Sequence, residues 1–150
     1  MTEQDLTYMR MALDLARQAA NQDEVPIGAV VVSGGEIVGQ GYNLREQGKD
    51  ATLHAEMIAI REACVNMGGW RLPDSTIYVT LEPCPMCAGA MLNARIGRLV
   101  YAAKDKKGGA AGSVVDIPGS PGFNHHIEVE GGVLADEAVA LLQEFFRRKR

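Results

Sequence analysis

The sequence predicts a single three-layer α/β/α domain over residues 1–150, in which a mixed five-stranded sheet carries helices on both faces. Short β-branched segments alternate with amphipathic segments of helical period, which is the pattern of an α/β domain. A glycine turn joins the first two strands as an antiparallel hairpin, whereas a helix joins the third and fourth as a parallel crossover. The sheet is therefore expected to be mixed, with helices covering both of its faces.

The first part of the chain predicts a helix followed by a hairpin. Residues 2–21 place apolar side chains on one helical stripe, with charged side chains opposite. Pro26 interrupts this pattern, and residues 27–32 then read as a buried strand. The turn at residues 33–36 contains two glycines and leads into a second strand at residues 37–41. The stripe of the helix consists of Met9, Ala12, Leu13, Ala16 and Ala20.

The middle of the chain predicts helix, strand, helix and strand in that order. A helix is expected to begin at His54 and to end near the glycines at 68–69. Residues 76–80 form the third strand, the next helix runs over 84–94, and residues 99–102 form the fourth strand. The expected apolar positions of the first of these helices are Ile58, Ala59, Ala63 and Met67.

The last third predicts a long loop, a short strand and a helix. Residues 104–122 are rich in glycine and show no period, so they are expected to form a loop. Residues 127–130 are assigned to a fifth strand and residues 134–147 to a final amphipathic helix. The apolar face of this helix consists of Leu134, Ala138, Leu141, Leu142 and Phe145.

Composition indicates a globular protein of a reducing compartment. The 150 residues suit one domain, and their three cysteines are too few for a disulfide framework. The sequence contains no apolar run of about 18 residues, which a membrane helix needs. The first ten residues are too polar for a signal peptide. We therefore expect a cytoplasmic location and no membrane partner.

The charge distribution leaves the question of a nucleic-acid partner open. The formal net charge of −4 argues weakly against such a partner, because nucleic-acid-binding domains tend to be basic. Basic residues nevertheless cluster at 147–150 and in the loop that carries Lys104, Lys106 and Lys107. A basic helix end is equally well explained by its favourable interaction with the helix dipole.

The most informative segments are His54-Ala55-Glu56 and Pro83-Cys84-Pro85-Met86-Cys87. They offer one imidazole and two thiolates to a zinc ion, and three protein ligands leave a tetrahedral zinc with an open position, as catalytic zinc sites require. Glu56 is not needed as a ligand and is free to carry protons beside that position. This combination indicates a site that activates water for attack on an electrophilic carbon.

The spacing of these residues predicts that two helix N-termini meet at the metal. Cys84 and Cys87 are three apart and share one face of a helix that begins at Cys84, since Pro85 suits a first helical position. His54 and Glu56 are two apart, which is roughly 200° around an ideal helix. They can face a common point only at a helix start or a bend.

A structural zinc site and a redox C-x-x-C motif are the simpler alternatives. The structural site needs a fourth protein ligand, for which Cys64, His125 and His126 are available. Ten helical residues put Cys64 about 15 Å from His54, so it is interpreted as a small buried apolar residue. The two histidines lie in a glycine- and proline-rich loop, which could fold back to bring one of them to the metal. Neither alternative explains Glu56.

The two metal segments resemble those of zinc-dependent cytidine and nucleotide deaminases, a family in which His-x-Glu is followed by Pro-Cys-x-x-Cys. Other segments are similar to one branch of that family, the bacterial tRNA-specific adenosine deaminases. These segments are spread over nearly the whole chain, at residues 24–30, 80–91, 109–113, 124–125 and 134–137. The resemblance implies a cytidine-deaminase-like fold, one Zn²⁺ per subunit, and hydrolytic conversion of the wobble adenosine of a tRNA anticodon to inosine.

The resemblance also implies roles for individual residues. Zinc ligands would be His54, Cys84 and Cys87, and Glu56 would act as the catalytic proton carrier. The substrate-binding residues that the resemblance implies are Asn43, Ala55, Ile27, Asn124 and Asp105. An equally good interpretation of Asn43 from the residues alone is turn chemistry after a strand. Of the adjacent Phe145 and Phe146, one is expected in the core and the other is available to stack on RNA.

Three functions and one assembly state follow as hypotheses. The first function is the tRNA adenosine deaminase, acting on an anticodon stem-loop rather than on DNA. The second is a deaminase of a free base or nucleoside such as cytosine, guanine or cytidine, and the third is a non-catalytic zinc-stabilised RNA-binding module. The resemblance implies a homodimer, for which Met86, Ala90 and Met91 offer an apolar patch on the second metal helix.

Overall fold

A computed structural model describes residues 1–149, which form four helices and five strands. Thr2 caps the first helix reciprocally with Asp5, the third helical residue, and the glycine turn between the first two strands has left-handed backbone at Gly34 and Gly35. The elements are α1 (Glu3–Asn21), β1 (Gly28–Ser33), β2 (Glu36–Tyr42), α2 (Ala55–Met67), β3 (Ser75–Leu81), α3 (Pro85–Asn93), β4 (Arg98–Ala103), β5 (Glu128–Gly131) and α4 (Ala135–Arg148).

The strands form one mixed sheet in the order β2-β1-β3-β4-β5. β1 pairs antiparallel with both β2 and β3, while β3, β4 and β5 run parallel to one another. The carboxyl ends of β3 and β4 therefore lie at the same edge of the sheet. The segments that follow these two ends carry Cys84 and the loop with Asp105.

The sheet separates two hydrophobic cores, so the predicted three-layer architecture is confirmed. α1 and α4 pack on one face of the sheet, against Val30, Tyr78 and Val100. α2 and α3 contribute to the core on the other face, where Val31 and Val79 lie. Neighbouring strand residues point to opposite faces, and both faces are apolar because helices cover both.

Two glycines of β2 allow α2 to lie directly against the sheet. A Cβ on Gly39 would collide with the backbone oxygen of Ala59, and a Cβ on Gly41 would lie 2.7 Å from that of Ala55. The residues of α2 that face these glycines are Ala59 and Ala63 at Gly39, and Ala55 and Ile58 at Gly41. This contact fixes the first turn of α2, and with it the position of His54.

The predicted element boundaries agree with the structure to within two residues, but several side chains do not lie where the pattern placed them. Met67 and Cys64 were expected to be buried, yet Met67 is 46% exposed and Cys64 is half-buried, because the last turn of α2 extends beyond the core. Ala20 is half-buried, and Ala19 takes its place in the core. Met91 is fully buried and does not form part of a surface patch.

No helix within residues 1–149 is long and apolar enough to cross a membrane. The basic cluster at 147–150 is described as far as Lys149, the C-cap of α4; Arg150 lies outside the described residues.

Candidate metal centre and substrate cleft

Two helix caps place the predicted zinc ligands. His54 is the N-cap of α2, with φ −78° and ψ 152°, and Cys84 is the N-cap of α3, with φ −75° and ψ 173°. The extended backbone at a cap directs the side chain away from the helical array. Because His54 lies at the cap and not within the helix, its side chain and that of Glu56 are not forced to opposite sides of α2. Cys87 follows in the first turn of α3, behind Cys84.

The three ligand atoms have the spacing of a tetrahedral zinc site. Nδ1 of His54 lies 3.6 Å from Sγ of Cys84 and 3.5 Å from Sγ of Cys87. Usual Zn–N and Zn–S bond lengths at a tetrahedral angle give a nitrogen–sulfur separation of about 3.6 Å. Both nitrogen–sulfur separations therefore fit a zinc ion, and all three ligand atoms lie within 4.8 Å of one another.

A fourth protein ligand is absent from the part of the chain that the structure describes, residues 1–149. Sγ of Cys64 faces the backbone oxygen of Trp70, and Nε2 of His125 lies 2.7 Å from the backbone oxygen of Ile96. His126 does not join the ligand group either. Within the described residues the donor set is that of an open site.

The Cys84 and Cys87 sulfurs share a hydrogen bond, and a cation between them would allow both to be thiolates. A hydrogen bond from Cys87 lowers the pKa of the Cys84 thiol to about 4. The same hydrogen bond, together with burial, raises the pKa of Cys87. Two adjacent thiolates repel each other in a buried place unless a cation lies between them. The donor chemistry thus matches a divalent, thiophilic metal such as zinc.

Glu56 is a buried carboxyl group beside the metal ligands. Its side chain is 4% exposed, and it lies in the first turn of α2, two residues after His54. Burial raises the pKa of Glu56 to about 7. A carboxyl group with a pKa in this range takes up and releases protons near neutral pH, as a general acid–base catalyst must.

A cleft of about 280 Å³ opens over the ligands. This volume lies at the small end of ligand pockets, suited to a base or a nucleoside. Its floor includes His54, Glu56 and Cys84, while Cys87 is buried behind them. The remaining residues that line it are Val25, Ile27, Asn43, Arg45, Ala55, Leu81, Glu82, Asp105 and Phe146.

Asn43 lines the cleft and also performs the turn chemistry that was its alternative interpretation. Its Nδ2 donates to the backbone oxygen of Val25 at 3.3 Å, and its Oδ1 accepts from the N–H of Arg45 at 3.0 Å. The side chain is 5% exposed. A side-chain amide has two donors and two lone pairs, so one donor and one lone pair remain for a ligand.

The cleft brings together all but one of the predicted substrate-binding residues. Ile27, Asn43, Ala55 and Asp105 line it, whereas Asn124 does not. Asn124 lies in a separate groove, beside Gly89, Asn93 and Phe123 on the outer side of α3. One subunit therefore does not place Asn124 next to the metal ligands.

Sequence reasoning missed several residues of the cleft. Val25 and Leu81 are apolar residues of the cleft wall. Val25 lies shortly before β1 and Leu81 is the last residue of β3, and no sequence motif distinguishes either one. Arg45 was detectable as the charged residue that follows the Asn43 turn. Phe146 is 47% exposed while Phe145 is 5% exposed, so the expected division of the pair into a core and a surface residue is confirmed. The fourth missed residue is Glu82, whose buried carboxylate is considered below.

Comparisons with known proteins agree with this site. Residues 2–103 match the family model of the cytidine and deoxycytidylate deaminase zinc-binding region. The chain is 48% identical over 147 residues to the tRNA-specific adenosine deaminase of Bacillus subtilis, covering 98% of this chain and 91% of that one.

Solved structures give the same result. A structure from a study of A-to-I editing by tRNA:A34 deaminases at the wobble position of transfer RNA has a TM-score of 0.87 and 45% identity. It covers 91% of this chain and 99% of that one. The guanine deaminase of Nitrosomonas europaea has a TM-score of 0.77 and 27% identity, with 93% of this chain and 83% of that one covered. The chain belongs to the zinc-binding cytidine and deoxycytidylate deaminase family.

Proposed function

We propose that the protein hydrolyses the wobble adenosine of a tRNA anticodon to inosine. The observation that carries this proposal is the buried Glu56 beside an open His-Cys-Cys site at the floor of a cleft of nucleoside size. The tRNA substrate is supported by the 48% identity to a tRNA-specific adenosine deaminase, which extends over 98% of the chain. A non-catalytic zinc module would have no use for a buried proton carrier at this place.

The chain's own residues divide into metal ligands and a proton carrier. His54, Cys84 and Cys87 hold the zinc, which when bound supplies the Lewis acidity that activates water near neutral pH. A carboxylate oxygen of Glu56 takes a proton from the attacking water and delivers it to N1 of the adenine ring. The water oxygen adds to C6 as a hydroxyl group. Glu56 then takes the remaining proton of that hydroxyl, which becomes the C6 carbonyl, and delivers it to the departing amine. The C6–N bond breaks, so that adenosine and water give inosine and ammonia.

The cleft walls are proposed to hold the flipped-out base. Ile27 contacts one face of the ring, and the free donor and lone pair of Asn43 reach its polar edge. The backbone of Ala55, at the start of α2, contributes a polar group beside Glu56. Asp105 stands at the rim, where the flanking nucleotides would enter. Exclusion of water by Ile27 strengthens these polar contacts.

A homodimer is proposed as the assembled form. Support comes from the groove on the outer side of α3, where Phe123 is 48% exposed and Asn124 lies beside Asn93. Met86 and Ala90 are half-buried on this helix, whereas Met91 is excluded from the patch by its burial. In a dimer built on this groove, Asn124 would serve the partner's cleft. Light scattering at micromolar concentration tests this, and a monomer mass would overturn it.

The domain and its location complete the proposal. Residues 1–150 are proposed to act as one deaminase domain, because α4 packs on the same sheet that carries the metal centre. A tRNA substrate is found in the cytoplasm, which is the location we propose.

The decisive experiment compares substrates on one zinc-loaded preparation. An anticodon stem-loop with adenosine at the wobble position is incubated beside free adenosine, cytidine and guanine, and inosine or the other products are measured by chromatography. Conversion of the stem-loop alone supports the proposal. Conversion of a free base with an untouched stem-loop would assign the chain to the free-base deaminases, such as the guanine deaminase it resembles in fold. Glu56→Ala is the inactive control.

A further inference from the structure

Two buried carboxylates that the reaction does not use lie beside the cleft. Glu24 is 0% exposed and Glu82 is 2% exposed. Glu24 immediately precedes Val25 in the cleft wall, and Glu82 follows Leu81 at the end of β3. A buried carboxylate is costly unless hydrogen bonds satisfy it, so the partners of each one indicate its role.

Glu24 holds the loop after β2 through two backbone donors. Its Oε1 accepts from the N–H of Glu46 at 3.0 Å, and its Oε2 accepts from the N–H of Gln47 at 2.6 Å. Arg45, the preceding residue, lines the cleft. The two carboxylate oxygens therefore fix the backbone directly beside the positive charge on this side of the opening.

Glu82 holds the glycine-rich loop after β4 in the same manner. It accepts from the N–H groups of Asp105 at 3.1 Å, Ala111 at 3.0 Å and Ser113 at 3.0 Å, and also from the Ser113 hydroxyl. Gly109 leaves room for this arrangement, because a Cβ there would overlap the carboxyl carbon of Glu82. Burial alone would raise the pKa of Glu82, but the bonds from Ser113 and the backbone keep that pKa below its usual value.

The two anchored loops present the polar rim of the cleft. Arg45 follows β2 and Asp105 follows β4, and β1 and β3 lie between those two strands in the sheet. Lys104, Lys106 and Lys107 are exposed beside Asp105. Asp105 is itself fixed, since its Oδ1 accepts from the N–H groups of Lys107 and Gly108. Loops of this kind are mobile unless they are tied down, and a mobile rim must be ordered when a polyanion binds.

We propose that Glu24 and Glu82 are positioning residues that preorganise the two rims of the cleft for an RNA substrate. They lower the KM for the anticodon loop without taking part in the chemical step at the zinc. The inference rests on the proposed function for its substrate. That each carboxylate orders one loop at the rim follows from the hydrogen bonds alone and does not depend on the substrate.

Asp5 provides a matched control at the other edge of the sheet. It is a carboxylate of equal burial, 1% exposed, and it accepts from Arg98 and Tyr78. Its partner Arg98 is the first residue of β4, about 17 Å from the last residue of that strand, after which the loop with Asp105 begins. A loss of buried charge at Asp5 affects folding stability without touching either loop.

The experiment measures steady-state kinetics on the stem-loop, zinc content and amide hydrogen exchange for Glu24→Gln, Glu82→Gln and Asp5→Asn. The glutamine variants are expected to raise KM about tenfold, which is the equivalent of one charge-assisted hydrogen bond. Their kcat and zinc content stay near those of the wild type. Exchange accelerates at Glu46 and Gln47 in the first variant and at Asp105 and Ala111 in the second. Asp5→Asn lowers the melting temperature and leaves KM unchanged.

A fall in kcat or in active fraction at constant KM, or faster exchange spread over the whole chain, would overturn the positioning role. Absence of inosine with the wild type would overturn the proposed function, while the exchange pattern still tests the ordering of the rims. If Glu82→Gln does not fold, Ser113→Ala takes its place, because it removes one of the four bonds and leaves the carboxylate. A raised KM at unchanged kcat then supports the role of Glu82, and an unchanged KM removes it.

Discussion

Nδ1 of His54 lies 3.5 Å from Sγ of Cys87, although 33 positions separate them in the chain. Two different helix starts produce this contact: His54 caps α2, and Cys87 is in the first turn of α3. Neither helix positions the other's ligand directly. The sheet does so, because α2 lies on β2 through Gly39 and Gly41 while α3 follows directly from β3.

Replacing Cys87 by alanine is expected to abolish stoichiometric zinc binding. Two protein ligands remain, and a two-ligand site does not hold zinc against a competing chelator. Zinc per chain is measured by atomic emission after dialysis against a weak chelator. Cys64→Ala is the control, since Cys64 is the third free cysteine and lies outside the ligand group. Equal zinc loss in both variants would contradict the assignment of ligands.

Replacing Glu56 by glutamine is expected to remove activity while the metal centre stays intact. General acid–base catalysis by one side chain contributes about 10²- to 10⁴-fold, and glutamine preserves the shape of the side chain without carrying a proton. Deamination of the anticodon stem-loop is measured under single-turnover conditions. Zinc content and RNA affinity serve as controls and should match the wild type. A variant that retained full turnover would exclude Glu56 as the proton carrier.

The metal centre was predictable because its signals are local. A proline after Cys84 and a glycine-ended apolar pattern after His54 mark helix starts, and the ligand types then restrict the metal. The sheet was predictable for the same reason, since its hairpin and its crossover are each encoded by adjacent residues. The order of all five strands is a non-local property, and the patterns did not specify it.

The misplacement of Met91 and the failure to detect two buried glutamates each have a physical origin. α3 is apolar around most of its circumference, so periodicity does not distinguish the buried Met91 from a surface position. Glu24 and Glu82 look like ordinary acidic residues in the sequence, because their partners are backbone N–H groups 22 to 31 residues away. Any residue type supplies a backbone N–H, so such a contact leaves no mark in the sequence.

Introducing a Cβ at Gly41 is expected to weaken both the fold and zinc binding. The added atom would lie 2.7 Å from the backbone oxygen of Ala55 and from Cβ of Ile58, which displaces the first turn of α2. Overpacking of this kind costs about 1–3 kcal/mol. Thermal unfolding and chelator competition are measured for Gly41→Ala. Gly69→Ala is the matched control, because no atom lies within 4 Å of a Cβ built there. Unchanged zinc affinity in Gly41→Ala would show that α2 is positioned by other contacts.

The pair formed by Asp5 and Arg98 is expected to stabilise the fold in a pH-dependent way. The guanidinium of Arg98 donates at 2.8 and 2.9 Å, and together with the Tyr78 hydroxyl it holds the pKa of Asp5 well below its usual value. Since the folded-state pKa is depressed, the contribution is complete above the unfolded-state pKa of about 3.9 and is lost as the pH falls below it.

Asp5→Asn tests this contribution by urea unfolding at several pH values. Loss of one partner of a buried pair costs about 3 kcal/mol, so the variant should be less stable by that amount between pH 5 and pH 7. The difference between variant and wild type should shrink as the pH falls below about 4. Thr7→Ala, an exposed position on the same helix, is the control. A stability difference that stays constant down to pH 3 would mean that the charge of Asp5 is not its source.

Lys104 is expected to contribute a phosphate contact beside the cleft. It is exposed, and it shares a groove with Phe146 and Arg147 that adjoins the substrate opening. A lysine that neutralises one phosphate of single-stranded RNA changes the slope of log K against log salt by about 0.7. Stem-loop affinity is therefore measured for Lys104→Ala and for Arg71→Ala between 50 and 200 mM salt, over which the Debye screening length falls about twofold. Arg71 follows the far end of α2, about 20 Å from the helix start at the cleft, and stacks on Trp70. The slope should become less steep than that of the wild type in Lys104→Ala and stay at the wild-type value in Arg71→Ala. Equal slopes in the two variants would place the RNA backbone away from Lys104.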